Sequence, residues 1–161
     1  MEPGSREVPP AAEVLAVADE TLVQSPPTPF MAMHAAVVLC AAEDADGLAT
    51  LARWCGSRAD PVHVDVAAPL ARALCRLARG EASRAADDLA PLLPQLWRFG
   101  GSAAQREVVE ETLICALLRA GRYDEALRLV DRRLDRRPCR RDQWFAAEAQ
   151  LAEVWPPDAD L

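Results

Sequence analysis

The chain has 161 residues, 51% of them apolar and 5% aromatic, with a formal charge of −7. That length suffices for one domain with its own core, and no window approaches the ~18 uninterrupted apolar residues of a membrane span. The acidic balance argues against a general nucleic-acid binder. An acidic, Pro-rich start without an apolar core shows no secretory signal, so a cytoplasmic protein is expected.

Ala and Leu dominate and β-branched residues are few, which favours helix over strand. Residues 1–10, MEPGSREVPP, have almost nothing to bury and read as a disordered leader. A first helix is expected from Ala11 to Val23, with Val14, Leu15, Ala18 and Leu22 on one face. SPPTP breaks the chain, and Thr28 is placed to cap a second helix opening at Pro29 and ending near Ala42. A third runs from Asp46 to Trp54 and stops at Gly56. GSRADP (56–61) reads as a surface loop. Asp65 is expected to cap a fourth helix reaching Ala78, with Arg72, Arg76 and Arg79 as a solvated stripe and Leu70, Leu74 and Leu77 opposite. A fifth spans Ala82–Phe99, bent or broken by Pro91 and Pro94. The sixth covers Ala103–Ala120, the seventh Tyr123–Arg136 and the eighth Arg140–Val154. Residues 156–161 form a frayed tail. No segment alternates with period two, so a single all-α domain of about seven or eight helices over 11–155 is expected.

The five cysteines are widely and irregularly spaced, without a C-x-x-C pair. They read as reduced thiols, four of the five filling apolar surroundings. His34 reads as a packed histidine and His63 as a solvated turn residue, with no third ligand to make a metal site beside Asp65. Ser57, Ser83 and Ser102 sit in turn or cap contexts, without the strained elbow a nucleophile needs. Glu110 and Glu111 are helix neighbours about 100° apart and are not expected to converge on a substrate. No cofactor, metal or catalytic constellation is assigned.

GGSAAQR (100–106) raises the question of a phosphate-cradling loop. A P-loop requires a lysine, and all 18 basic residues here are arginine. Ser102 and Gln105 instead have capping-box spacing, and Gly100 suits the left-handed end of the preceding helix. The alternative is an anion site at the helix N-terminus formed by Ser102 and Arg106.

A repeat also emerges. ALLRAGRYDEALRLVDRRLDRRP (116–138) places Gly121, Tyr123, Ala126, Leu134 and Pro138 at the offsets of the second half of a tetratricopeptide repeat. Residues 73–93, with Gly80 and Ala85, form a weaker copy, and 34–54 a more degraded third. Gly80 and Gly121 are 41 apart, against roughly 34 in the usual repeat. The stretch 100–138 resembles the C-terminal part of the tetratricopeptide repeat protein 38-like family. The resemblance extends to 29–54 and 68–101, so it covers about residues 29–151. It implies a tetratricopeptide-like solenoid of antiparallel helix pairs and no established reaction.

The function expected is a non-catalytic protein–protein interaction or scaffold module. By motif offset, Glu111, Cys115 and Arg119 point into the concave face. RRLDRRPCRR (132–141) offers Arg132, Arg133 and Arg136 as a docking patch, with local pairing of Asp124–Arg128, Arg128–Asp131 and Arg132–Asp135 as the bland reading. The alternative is a helical accessory domain binding a small or anionic ligand beside an enzyme or upstream repeats. A protein or peptide partner is expected, nucleic acid ranks last, and a membrane is not implied. Trp144, Leu151 and Trp155 are expected to seal one end, and the first helix or a second copy of the chain the other.

Overall fold

The computed structural model describes residues 11–136 and 139–154. The leader 1–10, Pro138, Trp155 and the tail 156–161 lie outside them. The described residues form α1 (Ala11–Val17), α2 (Glu20–Gln24), α3 (Pro29–Ala41), α4 (Ala45–Gly56), α5 (Ala68–Ala78), α6 (Ala82–Leu89), α7 (Ala103–Arg119), α8 (Tyr123–Arg136) and α9 (Arg140–Val154), and no strand. A π-helical turn, His63–Ala67, precedes α5, and a 3₁₀ stretch, Ala90–Phe99, follows α6. The all-α expectation holds. No described helix is long and apolar enough to cross a membrane.

Most boundaries follow from the residues that set them. Thr28 accepts the Met31 amide at 3.2 Å, with Pro29 opening α3. Where the α-helix reaches Pro91 and Pro94, the backbone tightens into the 3₁₀ stretch, since each proline removes an amide donor. Two boundaries differ from expectation. The first helix breaks after Val17, because the Asp19 carboxylate takes the Thr21 amide and hydroxyl at 2.9 and 2.7 Å and starts α2. The fourth begins a turn earlier than Asp65. Asp60 accepts the Val62 amide at 2.8 Å, while Asp65 pairs with Arg98 at 3.2 Å. Pro69 cannot donate to residue 65, and the turn before it widens to π geometry.

Three turns share one hydrogen-bond pattern. After α7, Arg122 N donates to Leu117 O and Gly121 N to Leu118 O, at 2.9 and 3.1 Å. After α5, Glu81 N donates to Arg76 O and Gly80 N to Leu77 O, at 2.9 and 3.0 Å. After α3, Asp44 N donates to Leu39 O and Glu43 N to Cys40 O, at 2.9 and 3.0 Å. Each is a Schellman end. Gly121 and Gly80 occupy its left-handed position with φ of 68° and 80°, and Glu43 does so with φ of 56°. Five residues beyond each stands a fully buried side chain: Ala126, Ala85 and Leu48.

Consecutive helices from α3 to α9 pack against one another apart from the 3₁₀ insertion, and α3 also reaches α5. Met33, Leu48, Leu51, Leu70, Leu74, Leu89, Ile114 and Val130 form the centre of the core, with Ala36, Ala68, Ala71 and Ala116 letting helices approach closely. α1 and α2 pack on α3. At the other end the expectation fails. Trp144 and Leu151 are 58% and 70% exposed, while Asp142, Phe145 and Ala149 face inward. The Asp142 carboxylate sits on a buried arginine, and that polar contact sets the rotation of α9.

Candidate functional site

One groove gathers residues from α3, α5, α7 and α9. Val37, Cys40 and Ala41 come from α3, Glu43 from the turn after it, Leu77 and Ala78 from α5, Val108, Glu111, Thr112, Cys115 and Arg119 from α7, and Arg141 and Phe145 from α9. Its volume is about 370 Å³. Glu111, Cys115 and Arg119 all line it, as their sequence spacing anticipates. The floor is apolar, with Phe145 buried and Val108 partly exposed. Thr112 donates its hydroxyl back to Val108 O at 2.8 Å.

The charged walls are unequal. Glu111 accepts from Arg133 at 3.1 Å and from Arg141 at 2.5 Å. The Glu111 carboxylate accordingly raises Arg141 above its ordinary value. Arg119 is exposed and has no ion pair among the described residues. Cys40 and Cys115 are half-buried free thiols. Burial pushes both up, with the Arg119 charge partly offsetting it, so they are neutral at neutral pH.

The arginine stretch resolves into different roles. Arg133 is buried, with only 5% of its surface exposed. It donates through Nε to Asp142 at 2.9 Å, through Nη1 to Glu110 at 2.9 Å, and through Nη2 to Glu111. Burial opposes its charge, but the Asp142 and Glu110 carboxylates outweigh that and hold it above the usual arginine value. Arg136 pairs with Glu110 at 2.6 Å. Arg132 is exposed. Of the three arginines assigned to a docking patch, Arg133 is therefore an internal clasp and Arg136 is engaged with α7. The expected i+3 and i+4 pairs of Arg128 and Arg132 are not formed among the described residues. Charge is paired between helices instead. Glu110 and Glu111 both accept from one guanidinium because its fork reaches both. Spacing along one helix carries no signal of this.

Ser102 and Gln105 form the capping box: the Gln105 amide donates to Ser102 Oγ at 3.2 Å and Ser102 N to Gln105 Oε1 at 2.8 Å. Arg106 donates to Gly100 O and Gly101 O at 2.9 and 2.7 Å. The groups proposed for an anion site thus hold the joint together.

His34 is packed, as expected: its Nδ1 lies 2.9 Å from Phe30 O and its ring rests on Phe30. His63 is not a solvated turn residue. It is 3% exposed within the π turn, edge-on to Trp54, with Nδ1 3.4 Å from Asp60 Oδ2 and neither nitrogen hydrogen-bonded. The helix starting at Pro61 carries it inward. Among the described residues, no group of three or more His, Cys, Asp or Glu is placed to hold a metal.

Compared with family models, with curated proteins and with solved structures, the chain finds no match.

Proposed function

We propose that the chain is a non-catalytic interaction module built from three divergent tetratricopeptide-like repeats, and that it receives a peptide segment of a partner protein in the α3–α5–α7–α9 groove. The observation that carries this reading is the groove's construction. It draws on the first helix of each pair, α3, α5 and α7, and on α9, the surface such repeats use for ligands. The shared Schellman turns at Glu43, Gly80 and Gly121, each followed at the fifth residue by a buried side chain, support the repeat register. Pairs α3–α4, α5–α6 and α7–α8 then stand as antiparallel units. The likeness to the tetratricopeptide repeat protein 38-like family agrees with that register.

The groove's chemistry specifies the occupant. An apolar floor asks for apolar side chains, Arg119 asks for one carboxylate and Glu43, at the turn after α3, for a basic group, while Arg141 is already neutralised by Glu111. Peptides selected from a random displayed library on the wild-type chain should combine an apolar pair with an acidic residue. Thr112→Trp, which fills the groove, and Arg119→Glu, which reverses its charge, should each weaken them by at least about tenfold. Selected peptides that bind both variants as well as the wild type, or a library that yields none, would refute the assignment.

A further inference from the structure

A second surface lies on the seam between α4 and α5. Arg72 and Arg76 follow one another along α5, Arg79 caps its C-terminal end, and Arg53 faces them from α4. Between them is a cleft of about 310 Å³ floored by Ala49, Ala52 and Cys75. As a sequence pattern the α5 arginines read as a solvated stripe. The fold gives them a fourth arginine and a shared concavity.

Three of the four arginines in this cleft are uncompensated. No carboxylate is among the residues that line it. Arg76 pairs with Asp88 of α6 at 2.9 Å, and Arg53 donates to Thr50 Oγ1 at 3.0 Å. Among the described residues, Arg53, Arg72 and Arg79 have no ion pair. In a chain of formal charge −7, four arginines lining one cleft, three of them without an ion pair among the described residues, are a local reversal of sign.

We propose that this cleft docks an acidic segment of a partner protein, carrying three carboxylates spread over about 10 Å. That length is the rise of the seven residues from Arg72 to Arg79 in an α-helix. Each arginine can fork onto one carboxylate. The floor of two alanines and a thiol lets the partner's backbone come close, since nothing longer projects between the arginines. Charge complementarity selects an acidic occupant. The absence of an aromatic side chain from the lining gives bases nothing to stack on, and the chain's overall negative charge repels an extended polyanion. The cleft is separate from the α3–α5–α7–α9 groove and does not depend on it.

The test is fluorescence anisotropy with a labelled alanine-based peptide bearing glutamates three and four residues apart, beside its glutamine counterpart. The wild-type chain should bind the acidic peptide, more weakly as salt rises, and bind the glutamine peptide at least about tenfold less well. Arg72→Glu with Arg79→Glu should lose the acidic peptide while circular dichroism stays unchanged, and Arg72→Lys with Arg79→Lys should retain part of the affinity. Arg119→Glu should not weaken it; a loss there would move the binding to the other groove and overturn the proposal. Equal binding of the two peptides, no binding at low salt, or tighter binding of single-stranded DNA through the same arginines would each overturn it as well.

Discussion

Replacing Arg133 with methionine should unfold the C-terminal helices well before the rest of the chain. Methionine keeps much of the volume and apolar stem but removes three charge-assisted hydrogen bonds to α7 and α9. The three carboxylates do not suffer equally. Glu110 keeps Arg136 at 2.6 Å and Glu111 keeps Arg141 at 2.5 Å. Asp142, 2% exposed, has no second cation among the described residues. The loss is therefore dominated by one buried, uncompensated carboxylate, which costs about 3–5 kcal/mol when a partner is removed. Against a typical total of about 5–15 kcal/mol, that is a large fraction. Urea denaturation followed by circular dichroism measures it, and adding Asp142→Leu should restore most of the loss, because it removes the stranded charge and supplies apolar volume. A destabilisation under about 1 kcal/mol, or a double variant no better than the single one, would show that the clasp is not held as described.

Glu43 takes a left-handed conformation that glycine adopts without strain, so Glu43→Gly should raise stability by up to about 1 kcal/mol in the same assay. A lower denaturation midpoint would contradict the equivalence of the three turns. Gly101→Ala should do the reverse, losing about 1–3 kcal/mol: φ is +68°, and the added methyl would run into the Phe30 ring and the Gln105 amide oxygen. Burial raises the Cys55 thiol to about 11 from an ordinary value of 9.0. The folded chain then keeps a proton that the unfolded chain gives up, so Cys55 contributes stability that is fully present below pH 9.0 and lost as pH rises towards about 11. Cys55→Ala should flatten that alkaline decline in a pH series of unfolding curves; an identical slope in the two proteins would remove Cys55 as its source.

What could be read along the chain was what neighbours along the chain decide. The Thr28 cap, the Ser102–Gln105 capping box, the proline disturbance after Leu89 and the glycine turns at 80 and 121 all involve groups within a few residues of each other. Their geometry is set by backbone hydrogen bonding, and the sequence states it directly. The placement of Glu111, Cys115 and Arg119 on one face belongs to the same class, because helical periodicity fixes which side chains share a side. Local competition still misled at Asp65. Asp60 was the better cap, and the π turn before Pro69 carried His63 into the interior.

The tertiary structure alone decided where charge goes. Arg133, Arg136 and Arg141 look like one basic run, yet they reach across to α7, and Arg133 is buried among carboxylates 22 and 23 residues away in sequence. Arg53 joins the α5 arginines only because α4 packs alongside. Guanidinium side chains are long and their partners are chosen by proximity in space, whereas a one-dimensional pattern ranks only neighbours three or four residues apart. Composition and turns determined an all-helical chain; which arginines are clasps and which stand open was settled by packing.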